Sequence, residues 1–467
     1  MKPAGPPLRL ALSGRQHQAL KKHLFPGDGK EAVAFALCGR ARRDDLELLV
    51  VKEVVPIAHE ACLVRMPYRV TWPGTALEPI LQRAAKAGLG VVKFHSHPGG
   101  YASFSDTDDI AEAEMFPSVF GWLDTDAPMA SAIMLPGGRL FGRAVREQGG
   151  GEPLDCIRVA DDDFLFWRPE PSIGAVPEHA RRLAQAFGVE TYGRLRKLRI
   201  GVVGCSGTGS IVIEQLARNC VGELVLVDPD HVEEKNLNRI VNSSAVDAAS
   251  ARPKADVQRR AIEAMGLGTK VVCFDKDLMS VEVLRVLSTC DVLFGCMDSA
   301  DGRHVLNKLA SAYLIPFIDL GVRLDADGNG GIESIWTVVN TVLPGGSSLM
   351  SRRVYGQGDL NAAYLKRTSP AEYQAQLAVG YIRGVNVDQP AVISVNMEAA
   401  ATAMNELLAR MHPYRVQHNR KFAIRRTCLS DPDASEHGEE GAVCPAMLHM
   451  VGTGDQVPFL GMPGIGE

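Results

Sequence analysis

Two short stretches of this chain carry residue types at spacings that could do chemistry. The first is HSHPGGYASFSDTDD, residues 95–109. In an extended strand side chains repeat every two residues, so His95 and His97 leave the backbone on one side. Asp108, eleven positions after His97, can return from a loop to the same point. Two imidazoles and one carboxylate leave the fourth tetrahedral position of Zn2+ open, which is the catalytic rather than the structural arrangement. A zinc ion so held lowers the pKa of water from ~15.7 to about 7 and polarises a carbonyl. Such a hydrolysis also needs a base to move a proton and a donor to hold the oxyanion. Ser105, three residues before Asp108, is placed to be that donor. A bare His-x-His pair reads as surface histidines; Pro98, Ser105 and Asp108 in register with it point to hydrolysis.

The second stretch is GCSGTG, residues 204–209, after the apolar run RIGVV and before SIVIEQLARN. Gly204, Gly207 and Gly209 let the backbone approach a phosphate, and the following helix N-terminus offers oriented N–H groups. Asp228 ends the next apolar run, 24 positions after Gly204, where an acid binds ribose hydroxyls. These features suit ATP and a nicotinamide dinucleotide equally.

The elements that must position these residues differ between the two halves. Residues 1–148 alternate short apolar runs with loops: ELLVVKEVV (47–55), GLGVVKFHSHP (88–98) and ASAIMLPGGRLFGRAV (130–145) read as strands, and LEPILQRAAKAG (77–88) as a helix. Residues 149–178 are rich in Gly, Pro and Asp and read as a linker, with one apolar island, FLFW (164–167), expected to dock on a neighbouring domain. Within 179–427, LVLVD (224–228), KVVCFD (270–275) and DVLFGCMD (291–298) are continuous apolar runs alternating with helical stretches. That pattern predicts a parallel sheet covered on both faces. Residues 428–467 are polar and Gly/Pro-rich, and a loosely packed tail is expected.

A length of 467 residues exceeds one ordinary core, so two or three domains are expected. A net charge of −5 without a long basic run argues against nucleic acid or an anionic membrane as the main partner. The opening residues hold no apolar stretch long enough for a signal peptide, and no run of eighteen apolar residues occurs. Ten cysteines without a C-x-x-C pair fit a reducing cytoplasm.

H-x-H-P followed by S-x-x-D resembles the signature of the JAB/MPN metalloproteases, also called JAMM, over about residues 8–145. The resemblance implies an α+β domain with a mixed sheet and flanking helices. It implies removal or trimming of ubiquitin-like or sulfur-carrier proteins, with His95, His97 and Asp108 as zinc ligands and Ser105 orienting the oxyanion or water. The family's catalytic glutamate lies where a first helix passes into a strand ending in glycine. Glu31 in KEAVAFALCG matches that place, and Glu53 in VVKEVV competes for it; Glu31 is preferred.

In the second half, DPDHVEEKNLNRI (228–240) carries Asn236 and Arg239, followed by Lys254 in ARPKAD and Asp298 in CMDSADGRHVLN. This set resembles the ubiquitin-activating enzymes and their bacterial relatives ThiF and MoeB, over roughly residues 180–425. The resemblance implies a Rossmann-like doubly wound domain that adenylates a C-terminal glycine with ATP and Mg2+. It assigns Asp228 to the ribose, Asn236 to nucleotide positioning, Arg239 and Lys254 to the phosphates, and Asp298 to magnesium, with Asp230 as the weaker candidate. Arg303 and Asn307 also fit the pattern, and Arg181 or Arg182 matches an arginine that relatives lend to a partner subunit. The two C-x-x-C pairs of many relatives are missing, and no cysteine lies between Cys296 and Cys428. Cys428 and Cys444 are left as the thioester candidates, while Cys205, Cys290 and Cys296 read as core.

Both resemblances converge on the Gly-Gly tail of a β-grasp protein. The expected function is a cytoplasmic, homodimeric enzyme that hydrolyses such a tail with zinc and adenylates its terminal glycine. Maturation followed by activation is favoured over deconjugation, and a conjugating-enzyme-like protein is a further possible partner. Sulfur-carrier processing for cysteine or cofactor synthesis is the alternative pathway, and a non-enzymatic adaptor the alternative class.

Overall fold

The computed structural model describes residues 5–149, 151–169, 174–326, 329, 331–378, 392–463 and 465. The chain divides into two compact units. The first takes in residues up to Ser172 with Ser311–Leu314 and His449–Gly461, and the second holds the rest.

In the first unit the strands are β1 (Leu8–Ser13), β2 (Val33–Arg42), β3 (Glu47–Pro56), the small hairpin β4 (Val64–Met66) and β5 (Arg69–Thr71), β6 (Gly90–Ser96), β7 (Met129–Met134), β8 (Leu140–Val145), β9 (Cys156–Ala160) and β10 (Phe164–Trp167). Helices α1 (Gly14–Leu24), α2 (Glu78–Ala87) and α3 (Asp106–Leu123) flank them. Apart from the β4–β5 hairpin these strands form one sheet in the order β10-β9-β1-β3-β2-β6-β7-β8. It is mixed: β6 pairs parallel with β7 and antiparallel with β2. Every residue of β6 is buried, as a central strand covered on both faces requires. Phe35 and Leu37 of β2 share a core with Ile80, Leu81 and Ala84 of α2 and Phe116, Val119 and Phe120 of α3. That core sets α3, and with it Asp108, against the sheet.

The linker expected over 149–178 is corrected in its middle. Cys156–Ala160 and Phe164–Trp167 are strands that extend the first sheet, while residues 150 and 170–173 lie outside the described residues. The FLFW island is an edge strand, not a docking patch: alternation buries Phe164 and Phe166, and its backbone bonds go to β9. The loose tail is corrected as well. Cys428, Cys444, Met447, Met450, Phe459 and Leu460 are all buried. Gly39 N–H donates to the Gly452 carbonyl at 3.2 Å, and Asp455 N–H to the Arg40 carbonyl at 2.7 Å. Low apolar periodicity concealed this because backbone hydrogen bonds and close glycine approach, not a stripe of side chains, hold the segment.

The second unit has β11 (Arg199–Val203), β12 (Glu223–Val227), β13 (Lys270–Phe274), β14 (Val292–Gly295), β15 (Phe317–Ala326), β16 (Ile332–Val342), β17 (Ile424–Cys428) and β18 (Glu436–Gly438). Their order is β13-β12-β11-β14-β15-β16-β17-β18. Pairing is parallel from β13 through β15 and antiparallel from there to β18. The chain leaves β11 for β12 on one side and reaches β14 on the other. This reversal opens a crevice at the carboxyl end of β11, where open α/β sheets bind ligands.

Gly452 has φ +67°, and a Cβ there would lie 2.1 Å from the Val51 carbonyl oxygen. Gly452→Ala should therefore destabilise the first unit by about 2 kcal/mol or more. Limited proteolysis should then cut within residues 449–461; an unchanged cleavage pattern and thermal midpoint would refute this account of the segment.

Candidate active sites

The first site forms where β6 ends and α3 begins. His95 Nε2 and His97 Nε2 lie 3.2 Å apart. Asp108 Oδ1 is 2.9 Å from His95 Nε2, and Oδ2 is 3.6 Å from His97 Nε2. One ligand atom from each residue falls within 4.8 Å of the others, the one such cluster found among the described residues. Tetrahedral zinc with bonds of 2.0–2.1 Å separates its ligand atoms by about 3.3 Å, so the donor set fits that ion. His97 Nδ1 is 2.8 Å from the Tyr101 carbonyl oxygen. A carbonyl only accepts, so Nδ1 carries a hydrogen, and Nε2 is the ring nitrogen turned toward Asp108.

Asp108 divides its work. Ser105 caps α3: its Oγ accepts from Asp108 N–H at 3.2 Å and donates to Asp108 Oδ2 at 2.7 Å, while Ser105 N–H donates to the same oxygen at 2.8 Å. Burial alone would raise this carboxyl, but the hydrogen bonds from His95 and His97 more than offset it and hold Asp108 well below the usual carboxylate range. Burial, helped by the charge of Lys93, lowers His95 to about 4 and so keeps its ring neutral. The hydroxyl of Ser105, expected to face an oxyanion, is here committed to the cap and to Asp108.

Glu31 sits between α1 and β2, its backbone held by the β4–β5 hairpin. Its N–H donates to the Met66 carbonyl at 2.9 Å, and the Glu31 carbonyl accepts from Arg65 Nε at 3.0 Å. The carboxylate is buried and 4.0 Å from His97 Nε2. Glu53, the competitor, is half exposed and paired with Arg83 on α2. The structure thus brings Glu31 to the histidines and leaves Glu53 outside.

The second site surrounds the glycine loop at the end of β11. Gly204 has φ +92°, and a Cβ on Gly209 would lie 1.8 Å from the Gly204 carbonyl oxygen; no other residue fits this turn. Asp228 is buried after β12, accepting from Cys205 N–H at 2.6 Å and Asp230 N–H at 2.9 Å. Burial raises its pKa against the pull of Lys254. Lys254, buried at the start of the helix Lys254–Met265, reaches Asp230 Oδ2 at 2.8 Å. Asn236 is buried and accepts from Glu233 N–H at 3.1 Å, closing the turn that carries Arg239. Arg239 is partly buried, with a Cδ 3.4 Å from where a Gly207 Cβ would stand. Asp298 is exposed beyond the end of β14.

The remaining sequence candidates are accounted for differently. Arg303 pairs with buried Asp319 at 3.0 Å, and Asn307 donates to the Tyr355 hydroxyl at 2.7 Å. Arg181 is exposed and pairs with Glu178, and Arg182 is exposed. All ten cysteines are free thiols. Cys428 and Cys444, the thioester candidates, are 3% and 2% exposed, which closes both to an incoming acyl group in this conformation. Cys205 and Cys290 are fully buried, as core thiols should be. Sequence reasoning missed Lys93 and Glu112, which form a buried ion pair at 3.0 Å beside the first site. The signal was present: Lys93 precedes His95 by two on a strand, and Glu112 follows Asp108 by four on a helix.

The ThiF family model matches residues 179–418, about half of the chain. The chain belongs to the ThiF family. Ahead of that region, residues 15–142 match the prokaryotic homologs of the JAB domain, so a JAB domain is fused to a ThiF adenylyltransferase-type domain. Among curated relatives, the adenylyltransferase and sulfurtransferase MOCS3 of Drosophila ananassae is 30% identical over 142 residues, covering 30% of this chain and 31% of the relative. The SAMP-activating enzyme E1 of Haloferax volcanii is 33% identical, covering 28% of this chain and 48% of the relative. The sulfur carrier protein adenylyltransferase of Thermus thermophilus is 29% identical, with the same 28% and 48% coverages. The chain thus spans from 31% to 48% of the length of these relatives. A solved structure of E. coli MccB with ATP is 18% identical with a TM-score of 0.44, covering 59% of this chain and 75% of that one.

The Glu31 carboxylate accepts no hydrogen bond among the described residues, and burial raises its pKa from 4.5 to about 7 against the opposing charge of His97. Between those values the folded protein keeps a proton that the unfolded chain releases. The associated stability is complete below 4.5 and is lost as pH rises through 7. Metal-free Glu31→Gln, which mimics the protonated acid, should match the parent at about pH 4 and exceed it by roughly 2–3 kcal/mol at about pH 8. Urea unfolding of chelator-treated proteins at the two pH values tests this, and a pH-independent difference rejects it.

Proposed function

We propose that this chain is a bifunctional enzyme acting on the C-terminal tail of a ubiquitin-like or sulfur-carrier protein. The JAB domain hydrolyses a bond at the tail, and the ThiF domain adenylates the terminal glycine carboxylate with Mg-ATP. The observation that carries this reading is that one chain pairs a convergent His95–His97–Asp108 cluster, with Glu31 beside it, with a ThiF-type glycine loop braced by Asp228.

In the JAB domain His95, His97 and Asp108 would hold zinc, which supplies Lewis acidity and acidifies water. Glu31, beside the cluster, is placed to take a proton from an attacking water and return it to the leaving amine; a carboxyl poised near 7 suits both transfers at neutral pH. Ser105 holds Asp108 in place through the helix cap, and its hydroxyl serves an oxyanion once it rotates away from Oδ2.

In the ThiF domain a glycine carboxylate oxygen attacks the α-phosphorus of ATP, forming the acyl-adenylate as the bond to pyrophosphate breaks. Lys254 and Arg239 neutralise the charge that gathers on the phosphates. The Asp230 partner of Lys254 is largely exposed, so the ammonium can exchange it for a triphosphate. Asp228 holds the ribose while bracing the loop, Asn236 keeps the Arg239 turn in shape, and Asp298 would hold Mg2+, with Asp230 as the alternative. The burial of Cys428 and Cys444 supports direct transfer from the adenylate to a thiol outside this chain. A cytoplasmic homodimer joined through the ThiF domain completes the proposal.

A second reading keeps the chemistry and changes the outcome: the adenylate is converted to a thiocarboxylate for sulfur delivery. The names of the fruit-fly and Thermus relatives favour it. Intact mass after incubation with a sulfur donor separates thiocarboxylate from thioester or amide.

Glu31→Ala should lower tail hydrolysis by about 10²–10⁴-fold while leaving ATP–pyrophosphate exchange on a mature Gly-Gly substrate unchanged. Lys254→Ala should do the reverse, lowering exchange by roughly 10²-fold or more. If the metal-loaded parent neither trims an extended tail nor supports exchange with any Gly-Gly protein, the proposal fails and a binding adaptor takes its place. Equal activation of extended and mature tails by Glu31→Ala would remove maturation as the hydrolase's role.

A further inference from the structure

Behind the histidine cluster, on its buried side, lies a second set of charges that the proposed chemistry does not use. Glu112 is 5% exposed, and both its oxygens are saturated. Oε1 accepts from Lys93 Nζ at 3.0 Å and from the Ser131 hydroxyl; Oε2 accepts from Arg143 Nε at 3.0 Å and from a terminal Arg143 nitrogen at 2.7 Å. The other terminal nitrogen of Arg143 donates to Asp109 at 2.6 Å. These residues come from four elements: Lys93 from β6, Glu112 and Asp109 from α3, Ser131 from β7 and Arg143 from β8.

The pattern is in register with the ligands. Lys93 and His95 are two apart on one strand and point to one face; Asp108 and Glu112 are four apart on one helix and also share a face. The Lys93–Glu112 pair therefore repeats, one step deeper, the His95–Asp108 contact. Arg143 adds a second tie: its guanidinium lies 3.9 Å over the Phe104 ring, which packs edge-on against His95 at 6.5 Å. His95 needs such support, because its Nδ1 has no hydrogen-bond partner among the described residues. The usual outer hydrogen bond that orients a ligating histidine is missing there.

Apolar packing would hold α3 against the sheet at no desolvation cost, yet would let the helix slide or rotate. A buried ion network is costly to desolvate and strict in direction, and its best-attested use is to specify register. We infer that Lys93, Glu112 and Arg143 are positioning residues: the network locks α3 to β6 so that Asp108 meets His95 and His97 before any metal arrives. The inference rests on the proposed metal-binding reading of the cluster and deepens it.

The test is Zn2+ affinity by chelator competition, at a temperature where each metal-free protein is folded. Glu112→Gln keeps the shape and removes the charge; Lys93→Met keeps the stem and removes the cation, and it decides the matter should the first variant not fold. Val159→Ala, a core truncation on distant β9 of the same unit, controls for lost stability alone. Both network variants should bind zinc about 10–100-fold more weakly, with altered visible spectra when loaded with Co2+, while Val159→Ala stays within about twofold of the parent. Network variants within twofold of the parent overturn the inference, as does an equal loss in Val159→Ala. Should the parent itself bind no zinc, the metal-site reading falls, an outcome distinct from failure of the positioning role.

Discussion

A carboxylate taken out of water must be met at its lone pairs or it takes up a proton, and this constraint orders both sites. Asp108 turns one oxygen to His95 and gives the other to the Ser105 cap, and it stays ionised. Asp228 divides its oxygens between the backbone N–H groups of Cys205 and Asp230. Glu112 is met by four donors from three side chains. Burial still raises the pKa of Asp228 despite its two backbone bonds, and it raises Glu31, whose buried carboxylate meets no hydrogen-bond donor among the described residues, to about 7. A carboxylate met at its oxygens braces its neighbours, and one left unmet is able to exchange a proton near neutral pH. The difference between these four carboxylates is one of surroundings.

The two units reach their sites by a common route. His95 and His97 stand at the carboxyl end of β6, whose neighbour β7 runs parallel to it. The glycine loop, Asp228 and Asp298 stand at the carboxyl ends of β11, β12 and β14, which are also parallel. Parallel strands bring several loops to the same end of a sheet, so residues far apart in sequence meet there without a long excursion of the chain. In the first unit the helix that follows supplies the Asp108 carboxylate from its first turn, and in the second it supplies a glycine-lined N-terminus.

Several features were legible in the sequence for physical reasons. The spacing of His95, His97 and Asp108 was readable because strand period and helix capping are local properties. The glycines at 204, 207 and 209 were readable because no side chain fits a turn in which a Cβ would overlap the Gly204 carbonyl. The parallel sheet was readable from its continuous apolar runs. The strands at 156–160 and 164–167 were misread as linker, since Gly and Pro around them dominate a composition window while edge pairing leaves no mark in composition. The tail was misread because glycine-mediated backbone contacts carry no hydrophobic period.

The sequence by itself determined which chemical groups are available and which of them share a local face, because those properties are set within a few residues along the backbone. Tertiary structure alone set Glu31 and not Glu53 beside the histidines, buried Cys428 and Cys444, returned residues 449–461 to the first unit, and joined Lys93 to Glu112. Each of those outcomes depends on burial and on contacts between distant segments, and desolvation has no value until the chain has closed around the group.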